Sequence, residues 1–335
     1  MNDGQRPDDP SDTDMMLATE KATYQFQSAR DAVGTVVFGQ TQTIENALIT
    51  ILSGGHALLV GVPGLAKTKL VETLGIVLGL ESRRIQFTPD LMPSDIIGSE
   101  VLEETANGKR QFRFIRGPIF TSLLMADEIN RASPRTQSAL LQAMQEYHVT
   151  VAGERYEVPR PFHVLATENP IEQEGTYPLP EAQLDRFLMQ IDITYPDEAT
   201  ERRILIETTA ATEPSAKPVL SSDDVKNAQH LVRRLPIGTS VVDAILRVTR
   251  AVRPEADTNE MARHLAWGAG PRAGQALMLA TRARALLDGR IAPSIDDVAA
   301  LALPVLKHRV ALTFAARAEG ITVDDVITTV ISRLL

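Results

Sequence analysis

At 335 residues and 44% hydrophobic content, the chain is long enough for about two domains and apolar enough for a large core, which excludes a disordered protein. It has no cysteine, so disulfides, zinc–thiolate sites and thiol nucleophiles are excluded, and a reducing, cytoplasmic setting is expected. A net charge of −9 argues against a protein that mainly coats nucleic acid; no apolar run approaches membrane-spanning length, and the start MNDGQRPDDPSDTD lacks a secretory leader's pattern.

Residues 1–18 read as a flexible acidic tail, since five aspartates and two prolines leave little to bury. A loose helical pattern covers Tyr24 to Val37, and after Gly39 and Gln40 a second helix runs through Ile44, Leu48 and Ile51 until Gly54 and Gly55 stop it. Next comes His56 to Thr68, HALLVGVPGLAKT. Ala57 to Val60 are bulky enough for a buried parallel strand, and Gly61 and Gly64 let the backbone turn tightly. From Lys67 the period becomes helical, with Leu70, Val71, Leu74, Val77 and Leu78 on one face and Gly79 as terminator. The loop Gly61, Val62, Pro63, Gly64, Leu65 and Ala66 thus meets a helix N-terminus and forms a phosphate cradle, where Lys67 can reach terminal phosphates and the Thr68 hydroxyl can ligate magnesium. Ala66 stands where the G-x-x-x-x-G-K-[ST] pattern has its second glycine, and it is expected to fit only at negative φ. By itself the loop reads equally well as a strand, a turn and a helix with a surface lysine.

A second strand is expected over Arg84 to Phe87, and Asn107-Gly108 marks a hairpin in which Phe112 and Phe114 alternate with polar residues. Thr121 to Asp127 is a third apolar strand. It ends in Asp127-Glu128, where open α/β sheets place ligands; the first acid suits magnesium, and the second suits polarising a water. Without the cradle these would be two ordinary surface acids. Pro134 opens a helix with Leu140, Leu141 and Met144 inward, and Ala152-Gly153 sits in a weaker hairpin pattern. Phe162 to Thr167 is a fourth strand leading to Asn169, whose amide can hold a water or a phosphate oxygen or can simply end the strand before Pro170. In LPEAQLDRFL, Leu184, Phe187 and Leu188 share a face and Arg186 falls off it, so spacing alone makes Arg186 a solvated arginine. A fifth strand is expected over Phe187 to Ile193 and a domain boundary near 196. Helices follow at about 198–210, 222–234, 239–253, 272–288, 295–303 and 322–334. Arg272 sits just after Pro271, at the helix end that disfavours a cation unless an anion is near. The six histidines show no ligand spacing.

GVPGLAKT, LLMADEINRAS, QSALLQAMQE, ATENPIEQEGTYPLPEAQLDRF, GPRA and DDVAALALPVLKHRV, in this order, resemble the MoxR family of AAA+ ATPases from about residue 30 onward. Alanine before the motif lysine is usual in that family, so Ala66 supports the match, whereas Gly270 stands where the family more often has serine. The resemblance implies an α/β P-loop core with a five-stranded parallel sheet of order 5-1-4-3-2 (residues 19–196) and an all-α lid (residues 197–335). It further implies a homo-oligomeric, typically hexameric ring with ATP and Mg2+ at subunit interfaces. By motif, Gly61 to Thr68 match the Walker A loop, Asp127 and Glu128 the Walker B pair, Asn169 the first sensor, Arg186 the arginine finger and Arg272 the second sensor. Gly39-Gln40 resembles the segment lining the adenine site, and the two hairpins resemble elements that face the ring pore. The implied activity is ATP-driven remodelling of a partner protein, often beside von Willebrand factor A domain proteins. The alternatives are a nucleic-acid motor and a nucleotide-gated binding module with little hydrolysis.

Overall fold

The computed structural model describes residues 12–104, 110–172, 175–210, 214–255 and 260–335. Helix α1 (Asp12–Gly34) begins inside the stretch expected to be a tail: its first turns carry Met16 and Leu17 exposed, while Phe26, Ala29 and Val33 are fully buried further on. Helix α2 (Thr41–Leu52) leads into β1 (Ala57–Val60), then α3 (Lys67–Val77), β2 (Ser82–Gln86) and the short α4 (Pro93–Ile97). A hairpin of β3 (Gly98–Glu104) and β4 (Arg110–Arg116) follows; the Asn107-Gly108 turn expected there lies outside the described residues. Strand β5 (Leu123–Asp127) and helix α5 (Pro134–Glu146) precede a second hairpin, β6 (His148–Val151) and β7 (Glu154–Glu157). Its two turn residues, Ala152 and Gly153, both have positive φ (48° and 89°), the twist that a two-residue hairpin needs. The core closes with β8 (His163–Glu168), α6 (Glu181–Leu184) and β9 (Met189–Asp192).

The five core strands pair in parallel in the order β2-β5-β8-β1-β9. Numbering only these strands along the chain and reading from the β9 edge gives 5-1-4-3-2. β5 and β8 are buried along nearly their whole length, as strands inside the sheet must be, whereas β2, SRRIQ, buries only Ile85 and takes an edge. All five C-terminal ends therefore lie on one side.

After β9 every long element is helical: α7 (Glu198–Thr208), α8 (Ser222–Arg234), α9 (Thr239–Ala251), α10 (Pro271–Leu287), α11 (Ile295–Leu306), α12 (Phe314–Ala318) and α13 (Val323–Leu334). Strands β10 (Leu265–Trp267) and β11 (Ala311–Leu312) form a small antiparallel pair. Helices α8, α11 and α13 each open with a reciprocal cap, Ser221 with Asp224, Ser294 with Asp297 and Thr322 with Asp325. Each such cap stabilises its helix by about 1 kcal/mol. The five-stranded sheet ends at Asp192, yet the apolar core runs on past it. One apolar cluster joins Leu48, Leu59, Leu74 and Ile191 on the sheet side to Val225, Ile245, Leu277 and Leu301 of the helical region. No helix among the described residues is long and apolar enough to cross a membrane.

Two buried imidazoles help tie the layers. His56 Nε2 donates to Met144 O (3.2 Å) while its Nδ1 accepts from Val164 N (3.0 Å). His163 Nδ1 donates to Gly55 O (2.8 Å), and its Nε2 accepts from Gln229 of α8 (3.0 Å). Burial holds both neutral, His56 at about 3, helped by its neighbour His163, and His163 at about 4. A folded value below the unfolded one means that the unfolded chain takes up the protons, so this stability is complete above pH 6.5 and falls as pH drops toward 4. Each histidine then contributes a loss of about 1.4 kcal/mol per pH unit. The melting temperature should accordingly be flat from pH 8 to 7 and drop clearly between pH 6.5 and 5; a flat profile across that range would contradict the neutral buried pair.

Candidate nucleotide site

The turn after β1 carries two left-handed residues, Gly64 (φ 87°) and Ala66 (φ 57°), directly before α3. Glycine adopts such an angle freely, whereas for alanine it costs about 1 kcal/mol. The expectation of a negative φ at Ala66 is thus corrected: the loop curls around the helix N-terminus by placing both residues in the left-handed region, and packing holds the strain. Lys67 folds back onto the turn, its Nζ donating to Gly61 O and, at 3.4 Å, to Val62 O. Burial pushes the Lys67 ammonium below its ordinary value, against the opposing pull of Asp127, Glu128 and Glu172.

Pro63 to Thr68 line a cleft of about 410 Å³ together with Asp127, Glu128 and Asn169. The register of the sheet explains this meeting, because β5 and β8 end beside one another and next to the turn that leaves β1. Asp127 is buried; Oδ1 accepts from Thr167 Oγ1 (2.5 Å) and Oδ2 from Arg84 Nη2 (2.5 Å). Glu128 lies in the left-handed region (φ 54°), its backbone N–H fixed to Thr167 Oγ1 (2.9 Å). Gln86 Nε2 (2.8 Å) and Arg131 Nη1 (2.9 Å) both bind Glu128 Oε2, which turns Oε1 into the remaining acceptor of the carboxylate. Asn169 is buried at the rim and accepts from Ile171 N at 3.2 Å, so its side-chain NH2 group is the donor available to the cleft. The donor set fits a magnesium nucleotide: a hydroxyl at Thr68 and a carboxylate at Asp127 are hard oxygen ligands, beside a lysine and a helix N-terminus for phosphates.

The cleft continues into an apolar pocket of about 550 Å³ that shares Pro63 to Ala66 and is walled by Val36, Val37, Phe38, Gln40, Tyr195 and Leu205. Gln40 is fixed at both ends of its amide, donating to Thr194 O (3.3 Å) and accepting from Thr43 Oγ1 (2.8 Å). Gly39 (φ 69°) does not line the pocket; a Cβ there would fall 2.3 Å from Thr200 Cγ2, so glycine is what lets this turn close against α7. A flat apolar base has room here.

Arg186 and Arg272 are not brought to this cleft. They line a second cavity, of about 270 Å³, with Gly55, His56, Asp185 and Arg309. That cavity lies at the N-terminal ends of β1 and β9, where Leu188 N donates to His56 O (2.7 Å). The cradle lies at the C-terminal ends, and four residues of β1 separate the two levels by about 13 Å. Arg186 does not continue the α6 helix but follows its cap, Asp185. Its Nη1 donates to Leu141 O, while its Nε is buried without a hydrogen-bond partner. Burial and the neighbouring Arg272 charge both lower the Arg186 pKa, a pairing of cations that an anion would relieve.

Four residues that the motifs did not single out complete the first cleft: Arg84 and Gln86 from β2, Arg131 and Thr167. Gln86 and Arg84 alternate with the one inward residue of β2, Ile85, so period two could have put them on one face; nothing in the sequence says that this face meets Asp127.

A parallel sheet with phosphate loop and strand-end acids on one rim, followed by a helical region, defines a P-loop nucleotide-binding protein of the AAA+ class. The family model "ATPase family associated with various cellular activities (AAA)" matches residues 56–189, and an "AAA lid domain" matches residues 259–330. Over 317 residues the chain is 44% identical to Chaperone MoxR1 of Mycobacterium tuberculosis, covering 94% of this chain and 82% of that one. Protein MoxR of Paracoccus denitrificans is 32% identical over 86% of this chain and 89% of its own. A crystal structure of a candidate ATPase from Cytophaga hutchinsonii superposes with a TM-score of 0.88 at 38% identity, covering 96% and 98% of the two chains. The chain belongs to the MoxR family of AAA+ ATPases.

Proposed function

We propose that the protein binds ATP with Mg2+ in the cradle cleft and hydrolyses it at the interfaces of a homo-oligomeric ring, typically hexameric, to remodel a partner protein. The observation that carries this reading is the separation just described. Phosphoryl transfer needs a cradle, a base and a cation for the developing charge. The cradle and base share one rim of the sheet here, and the candidate cations Arg186 and Arg272 share the opposite rim. One subunit's cations can then complete only another subunit's site, which makes Arg186 and Arg272 partners in trans.

Within the site, Lys67 binds terminal phosphates, Thr68 and Asp127 hold the magnesium, and Asn169 orients an oxygen. Bound Mg2+ neutralises phosphate charge and polarises the transferred group. Glu128 Oε1 accepts a proton from the attacking water as the new P–O bond forms and ADP leaves. Gly39 and Gln40 shape the wall beside the base pocket. The client is a protein, and a von Willebrand factor A domain protein is the companion that the family resemblance implies. The cysteine-free composition suits work in the cytoplasm.

Lys67→Ala tests the cradle. ATP affinity measured by calorimetry should fall by at least about 10- to 100-fold, since the ammonium that opens α3 directly after the loop is lost, and the cooperative melt should persist. Affinity equal to wild type would sink the assignment. Turnover with and without DNA separates the nucleic-acid alternative: stimulation by DNA would favour it, and none is expected.

A further inference from the structure

Arg309, in the 3-10 turn Lys307–Arg309 after α11, is among the largest fully buried side chains, with 2% of its side chain exposed. Every one of its five N–H donors is used. Nε donates to Asp185 Oδ1 (2.7 Å), Nη1 to Leu188 O (3.0 Å) and Val305 O (2.5 Å), and Nη2 to Phe187 O (2.5 Å) and Asp185 O (3.3 Å). Four of those five bonds therefore land on the segment 185–188 that contains Arg186. The adjoining residues reinforce the clip: His308 Nε2 donates to Phe187 O (3.1 Å), and Lys307 Nζ bridges Asp192 (2.5 Å) and Asp324 (2.9 Å). Asp185 also faces the other cation, its Oδ2 lying 3.9 Å from Arg272 Nη1. A buried guanidinium of this kind is expensive to desolvate and would be replaceable by apolar packing if stability were its whole purpose.

We propose that Arg309 is a positioning residue: through Asp185 and the carbonyls of residues 187 and 188 it locks Arg186, on the α/β core, and Arg272, on the helical region, into one rigid phosphate-reading unit offered to an adjacent subunit. The clip works because the two guanidiniums repel each other and sit on different parts of the chain; without a shared anchor each would settle where solvent screens it best. Lid and finger thus move as one body. The proposal rests on the trans reading above, and the test keeps the two apart.

Arg309→Lys keeps the charge but supplies at most three donors from a single nitrogen, so it cannot span Asp185 and residues 187 and 188 together. Turnover should fall about 10- to 100-fold, as expected for a catalytic group displaced by about an ångström, while ATP affinity in the subunit's own cradle stays within about twofold of wild type. Mixed with Glu128→Gln subunits, Arg309→Lys subunits should regain activity; mixed with Arg186→Ala subunits they should not, because both lesions then lie on the same rim. Near-wild-type turnover, or weakened ATP affinity, overturns the proposal. Arg186→Ala mixed with Glu128→Gln serves as the control. If the control recovers and Arg309→Lys does not, Arg309 is only structural; if the control itself fails, the trans reading falls and takes this proposal with it. Should Arg309→Lys not fold, Asp185→Asn carries the same test: it retains an oxygen for Arg309 but drops the charge facing Arg272, and turnover within twofold of wild type overturns the proposal equally.

Discussion

Glu128→Gln subunits should bind ATP about as well as wild type and turn it over on the order of 10²- to 10⁴-fold more slowly. The side chain makes no contact that builds the cradle; its Oε2 is held by Gln86 and Arg131, and its backbone by Thr167 Oγ1. A glutamine keeps the length, the left-handed backbone and an oxygen for Arg131, but it cannot take a proton from water. Binding and chemistry should separate cleanly in this variant, because the proposed site gives the phosphate contacts to Lys67 and the loop, which line the cleft beside Glu128. ATP affinity and single-turnover hydrolysis, measured on the same preparation, check this. A rate near wild type would place the base elsewhere, and Glu168, whose carboxyl burial pushes up and which ends the neighbouring strand β8, would be the next carboxylate to examine.

What the sequence made legible follows the physics of each signal. The inner strands of the core announce themselves because they are buried on both faces, and an apolar run ending in Asp127-Glu128 can be read without knowing its neighbours, whereas the edge strand β2 buries only Ile85. The helices of the second region announce themselves through their period, as in α8, which turns Val225, Ala228 and Val232 inward. Three features were not legible. Helix α1 reaches back to Asp12 although the composition there is acidic, since a helix already anchored by Phe26, Ala29 and Val33 extends at little further cost. The left-handed angle at Ala66 is imposed by the loop's closure onto α3 and not by local preference. The place of Arg186 relative to the cradle is a fact of sheet topology: residues before β9 and residues after β1 lie close to neighbouring strands in sequence register yet at opposite rims. Family likeness singled out Arg186, which spacing alone read as solvated, but neither could tell on which side of the sheet it lies.

That opposite-rim placement makes the remaining expectation quantitative. Arg186→Ala should reduce turnover by about 10³- to 10⁵-fold, the worth of an arginine finger in phosphoryl transfer, while ATP affinity changes far less, since the side chain is remote from its own cradle. Its surroundings predict a modest effect on stability: Nη1 loses a bond to Leu141 O, but the buried, unpartnered Nε is removed with it. The decisive measurement mixes subunits. Arg186→Ala retains Glu128 and Glu128→Gln retains Arg186, so in an exchanging population of the two inactive variants some interfaces pair an intact base with an intact finger. Turnover of the mixture should rise well above the sum of its parts, and it should track the fraction of such interfaces as the ratio is varied. No arrangement within a single subunit can produce that rise, because the sheet holds the two residues at opposite ends of its strands. Mixtures shown to exchange subunits, for instance by fluorescence transfer between labelled chains, that stay as inactive as the separate variants would mean that hydrolysis does not draw on Arg186 from a neighbour.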